Sequence, residues 1–216
     1  MNHPPRAAAL GVAEHGNSAV LVAITPENTL LDRRRVDLTR DLPTHPYHHE
    51  GSWAVGRYLN SAWARPISLV DAVALVARVH AAADRGAHEC LDDLAAALPL
   101  PIASIALRRC PELPPTTEER IADTRAACVA DSVMYRQALA GAARARGWSV
   151  SWYEAEQVFL DAARVVDADI NEFLAAMGRS LGPPWQAKHK LAAAAALASR
   201  LHGPATAARP QAGRSR

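Results

Sequence analysis

The chain has 216 residues, half of them hydrophobic, and a formal net charge of +2. That is enough for one domain of ordinary size with a sizeable core, and no run approaches the roughly 18 apolar residues of a membrane-spanning helix. Three cysteines, Cys90, Cys110 and Cys128, are odd in number and lack paired-ligand spacing, which argues against a disulfide or zinc framework and for free, buried thiols. The opening "MNHPPRAAALGVAEHG" has no apolar core of a secretory signal, so a cytoplasmic protein with no membrane partner is expected. The small net charge hides an asymmetry. Residues 173–216 carry seven Lys or Arg and no acid, leaving 17 basic against 22 acidic residues in 1–172. A basic end of this kind is a solvated tail or a phosphate-binding segment.

Residues 7–13 and 19–25 are apolar runs rich in β-branched residues, separated by the turn-like "EHGNS". A third strand is expected over 29–39, where Arg33, Arg34 and Arg35 suit an exposed edge. Residues 40–66, with Pro43, Pro46, Pro66 and the polar cluster "HPYHHEG", read as a loop insertion. Ser68 followed by Asp71 caps a long helix that Gly86 is expected to kink or divide. "IASIALRRC", 102–110, reads as a buried strand paired in parallel after that crossover. Thr116 and Glu119 form a second capping box, opening one helix to about Ala145. "WSVSWYE", 148–154, is the last strand. Helices are expected over about 155–166, 170–177 and 185–201. Residues 1–6 and the basic 203–216 are expected to be disordered on either side of one domain spanning 7–202.

Four constellations carry chemistry. His45, His48, His49 and Glu50 supply imidazole and carboxylate donors for a metal within six residues, although their spacing fits no standard motif and a polar loop explains them as well. Asp131 lies in a stripe with Ile121, Cys128, Tyr135 and Ala138, so it needs either a structural partner (Arg125, Arg136 or a backbone amide) or a functional one. "RRRV" and "ALRRCP", the latter with Arg108, are basic and able to meet phosphate. In "GPPWQAKHK", Trp185, Lys188, His189 and Lys190 open a helix whose free amides attract anions, with the indole positioned to stack on a base or to pack as a staple. No nucleophile-elbow pattern surrounds Ser104, Cys110 or Ser132.

The order of three meander strands, helix, strand, helix, strand and terminal helices resembles the ribonuclease H-like fold, and within it the RuvC-type Holliday-junction resolvases. "ALGV-AEHGNS-AVLVAI" is similar to that family's opening hairpin, "GWSVSWYEAEQV" to its last strand running into a helix, and "HKLAAAAALA" to its final helix. The resemblance implies an α/β fold with a mixed central sheet, and it implies clustered carboxylates holding two magnesium or manganese ions about 3.5–4 Å apart. Carried over by residue, those acids fall on Ala13, on Leu107 or Arg108, and on His189. Ala13, Leu107 and His189 are expected to converge at one end of the sheet. Glu14 is adjacent to Ala13 but points to the opposite face if the strand runs through it; solvent exposure in the turn is the expected outcome. The favoured reading is a catalytically degenerate ribonuclease H-like protein that binds a nucleic acid or protein partner. The alternatives are a metal-dependent nuclease rebuilt on Glu14, Asp131 and His189, and a metal-binding hydrolase centred on His45, His48, His49 and Glu50.

Overall fold

The structure is a computed structural model that describes residues 6–201. The expected disordered ends fall almost wholly on residues 1–5 and 202–216, outside that range. Strands β1 (Ala8–His15), β2 (Ser18–Ile24) and β3 (Leu30–Asp37) form the antiparallel meander, and β4 (Ile102–Arg108) and β5 (Ser149–Tyr153) extend it in parallel, in the order β3-β2-β1-β4-β5. The first turn is shorter than its composition suggests. His15 pairs with Ser18, so only Gly16 and Asn17 turn the chain and β1 runs through Glu14.

Strand alternation divides the core in two. Leu10 and Val12 of β1 and Leu21 of β2 face α2 (Leu69–Ala97) and α4 (Thr124–Ala145), together with Ile105 and Leu107 of β4. Ala9 and Ala13 of β1, Val20 and Val22 of β2 and Ala106 of β4 face the other way, toward α5 (Val158–Val166), α6 (Ile170–Leu181) and α7 (Ala187–Ala198). With both faces covered, the central strands read as continuous apolar runs. Each fully buried leucine or isoleucine of this core contributes about 1.5–3 kcal/mol by leaving water.

The two helical layers pack differently. On the first, large side chains such as Leu91, Leu139 and Tyr135 fill the space. On the second, α7 is buried all round along Ala192 to Ala196, packed against β1 and β2 on one side and α5 on another. At Gly11 the approach is closest: a methyl group there would overlap the backbone carbonyl of Ala192 and the amide of Ala196. Only glycine permits that contact.

Two helix expectations change. Gly86 neither kinks nor divides α2, which is continuous; it lies against the Leu38 backbone, where a methyl would overlap the carbonyl. The helix opened by the Thr116–Glu119 capping box ends after two turns, as α3 (Thr117–Ala122). Asp123 then restarts the chain as α4, its carboxylate accepting from the amides of Arg125 (2.7 Å) and Ala126 (3.0 Å). Segment 40–66 holds a π-helical turn (Tyr47–Gly51) running into a short α1 (Ser52–Ala54). Of the cysteines, Cys90 is buried, with its thiol pushed up to about 12 by desolvation, while Cys128 is exposed against expectation.

Candidate functional site

At the end of the sheet where β1 finishes, a cleft of about 550 Å³ opens between β1, β3 and the start of α7. Ala13 forms its floor and Arg33, Arg35, Lys188 and His189 its walls, with His15 at the rim; no aspartate or glutamate lines it. The strand pattern explains the two arginines. Arg33 and Arg35 sit opposite Val22 and Val20, which face α7, whereas Arg34 sits opposite Leu21 and turns to the other face, where it pairs with Asp32. All three residues of the run "RRR" border the cleft, but Arg33 and Arg35 share its face while the Arg34 guanidinium turns away to Asp32. Sequence reading took all three as an edge; period-two counting against β2 would have separated them.

Arg33 ties the cleft together by donating to the carbonyls of Pro183 (2.8 Å) and Pro184 in the α6–α7 link. Lys188 has no hydrogen-bond or ion-pair partner among the described residues. Burial lowers the pKa of its ammonium, with the Arg35 charge adding to the effect and Glu14 opposing it. His189 is held by its own helix start: its Nδ1 accepts from the Gln186 amide at 3.1 Å. In a neutral imidazole the other nitrogen then carries the proton, so Nε2 is a donor rather than a metal ligand. Burial, then the charge of Arg33, lowers the His189 pKa and so favours the neutral ring.

The cleft thus offers ammonium, guanidinium and imidazole N–H groups beside the start of α7, where the Gln186 side chain already caps the His189 amide. This donor set does not suit a pair of divalent cations, which need clustered carboxylate oxygens and are repelled by fixed positive charge. It suits an anion, phosphate above all.

The other candidate residues lie as follows. Leu107 is fully buried on the α2–α4 face, whereas Arg108, two residues beyond Ala106, is exposed and shares the face of Ala13. Ala13 and His189 converge as expected; Leu107 does not join them. Trp185 is half-buried against Gly178 of α6 and stacks on His189 at 5.7 Å between ring centres. Lys190 borders the same neighbouring hollow as Trp185.

Glu14 is neither solvent-exposed nor aimed into the cleft. Its carboxylate accepts from Nε of Arg136 at 2.6 Å and forms an ion pair with Nη2, both side chains less than a tenth exposed. Arg136 also donates to the carbonyl of Arg109 at 3.1 Å. The acid next to Ala13 is therefore a structural partner of α4, on the far side of the sheet.

Asp131 is 3% exposed. Its two oxygens accept from the amides of Tyr47 (3.0 Å) and His48 (3.2 Å), the first free amides of the π-helical turn. An α4 carboxylate thereby caps a helical turn 83 residues earlier, which realises the backbone-amide alternative for this residue. Burial pushes Asp131 up to about 7, against those two hydrogen bonds. His45 stands 3.8 Å away, while Arg125 and Arg136 do not pair with Asp131. Among the described residues no three His, Cys, Asp or Glu side chains form a group able to hold a metal. Glu14, Asp131 and His189 do not meet in one, and neither do His45, His48, His49 and Glu50. Desolvation lowers the pKa of His45 and His48 and raises that of Glu50.

The sheet order, the parallel extension and the helices on both faces make a mixed α/β fold consistent with the ribonuclease H-like arrangement, with a cationic cleft at its Ala13 end. No family model and no curated protein matches the sequence. Two solved structures of Thermus thermophilus RuvC are similar to it. One, in complex with a Holliday junction substrate, is 16% identical over 91% of this chain and 94% of that one, with a TM-score of 0.46. The other is 15% identical over 90% and 96%, with a TM-score of 0.44. No helix among the described residues is long and apolar enough to cross a membrane.

Proposed function

We propose that this chain is a catalytically degenerate ribonuclease H-like protein that binds the phosphate backbone of a nucleic acid. One observation carries the reading: the cleft at Ala13 is walled by Arg33, Arg35, Lys188 and His189 and lined by no carboxylate. A phosphate oxygen there gains charge-assisted hydrogen bonds that water and monovalent counterions supply less well. Affinity should therefore fall steeply with salt, as displaced counterions lose their entropic advantage. Arg108, exposed on the same face, extends the basic surface along the strand ends.

The test is a salt titration with labelled DNA and RNA, single-stranded, duplex and branched, followed by fluorescence anisotropy. Lys188→Ala is expected to weaken binding to every sequence and reduce the slope of log K against log salt by about one. The same substrates incubated with magnesium or manganese are expected to stay intact. Metal-dependent cleavage that disappears in His189→Ala would overturn the degenerate reading in favour of a nuclease. Stoichiometric metal lost on His48→Ala would move the function to the histidine segment.

A further inference from the structure

Segment 40–66 does more than close the end of the sheet. It gathers six rings into a connected series. His45 meets His49 at 5.3 Å between centroids, His49 meets Trp63 at 5.2 Å and Trp53 at 6.2 Å, and His48 meets Tyr58 at 6.1 Å. The series starts at the cleft: His15 is on the cleft rim, and the next residue, Gly16, packs directly against Thr44 and His45. It ends in solvent. Trp63 is 51% and Tyr58 48% exposed, with Leu59 beside them in sequence and similarly open.

Leaving two large aromatic rings half in water forgoes burial that this alanine-rich core could use. The patch is also held in place. Asp131 fixes the amides at the start of the π-helical turn, and Arg57, immediately before Tyr58, donates to the carbonyl of Ala122 (2.9 Å) and to that of Ile121. The rings are therefore presented from an anchored segment. Chemically they are sequence-tolerant stacking surfaces, since every base has a π face. Desolvation lowers the pKa of His45 and His48, which favours their neutral form, and the nearby Arg57 is engaged by backbone carbonyls, whereas Lys188 in the cleft has no partner among the described residues.

We infer that Tyr58 and Trp63 form a stacking platform for the unpaired bases of a single-stranded nucleic acid whose backbone lies in the Ala13–Lys188 cleft. The inference rests on the cleft reading and names its substrate class: a strand, or the unpaired segment of a larger structure. A duplex keeps its bases stacked on each other and gains nothing from the platform.

The experiment compares a 20-nucleotide oligothymidylate, an abasic oligonucleotide of equal length and a duplex, each titrated against the full chain and against Trp63→Ala, Tyr58→Ala and Lys188→Ala. Trp63→Ala is expected to lower affinity for oligothymidylate on the order of ten-fold with its salt slope unchanged. It should leave the abasic strand and the duplex unaffected, and Trp63→Phe should restore most of the loss. Both side chains are half exposed, so melting temperatures serve as the folding control. Equal affinity of wild type and Trp63→Ala for oligothymidylate, with the Lys188 effect intact, overturns the platform and leaves the cleft standing. Absence of salt-dependent binding to all three probes overturns both. Equal loss for the abasic strand shows that the aromatic residues touch the backbone rather than the bases and overturns the platform.

Discussion

The two faces of β1 differ by one residue in sequence and by the whole character of their chemistry. Toward α7 the strand shows Ala9, Gly11 and Ala13, small groups in close contact with an alanine helix and a cationic cleft. Toward α4 it shows Leu10, Val12 and Glu14, large groups and one acid locked to Arg136. An acid at position 14 cannot serve the cleft at position 13, because alternation sends adjacent side chains to opposite sides. The carboxylate beside Ala13 serves the stability of one face and leaves the cleft of the other without a carboxylate.

The largest effects should come from breaking each face at its tightest point. Arg136→Met strands the Glu14 carboxylate in the interior and should cost about 3–5 kcal/mol in urea unfolding, while the double variant with Glu14→Gln recovers much of it. Full independence of the two substitutions would mean that the ion pair does not hold that face. On the other face, Gly11→Ala forces α7 away from β1 and should cost about 3 kcal/mol or more. It should also weaken nucleic-acid binding, because Lys188 and His189 move with the helix. A smaller cost, about 1 kcal/mol, is expected for Ala13→Asp, where burying a carboxylate at a site 2% exposed is partly offset by the Arg33, Arg35 and Lys188 charges across the cleft. No magnesium-dependent cleavage should appear in that variant, since the neighbouring strand end still carries Arg108; cleavage would show that a single acid suffices to rebuild the site.

The last effect is one of pH. Burial raises the folded-state pKa of Asp131 to about 7, above its unfolded value near 3.9. Its contribution to stability is therefore fully present below about pH 4 and is lost as pH rises toward and past 7. Asp131→Asn should remove that slope and cost about 1–2 kcal/mol at low pH by leaving one of the two amides unpaired. Parallel stability curves for wild type and variant between pH 4.5 and 7.5 would show that the carboxyl does not titrate in this window.

The fold was legible in the sequence where short-range rules act. Strand alternation, the Ser68 and Thr116 caps and the prolines after α2 and α6 placed most elements within a few residues. What escaped was set at long range. Asp123 restarts a helix inside one apolar stripe, and Gly86 looks like a helix breaker until the Leu38 backbone lies against it. The site was legible in parts. Ala13, Lys188 and His189 were named as candidates, but Glu14 finds its partner 122 residues away and Asp131 finds amides 83 and 84 residues away. No local pattern encodes those distances. Arg33 and Arg35 were in view as a basic run, and only their register against β2 assigns them to the cleft.

The alanine seam between α7 and β1 has a consequence for kinetics. Alanine has no side-chain rotamers to exchange, so the helix has no set of near-equivalent packings to slide among. A shift of one residue would rotate the helix by about 100° and set different atoms against Gly11. The first turn of α7 is thus indexed to the strand like a key to its ward, and a ligand meets the cleft already assembled. Association should then proceed in a single exponential phase whose rate rises linearly with concentration, without the plateau that a prior rearrangement imposes.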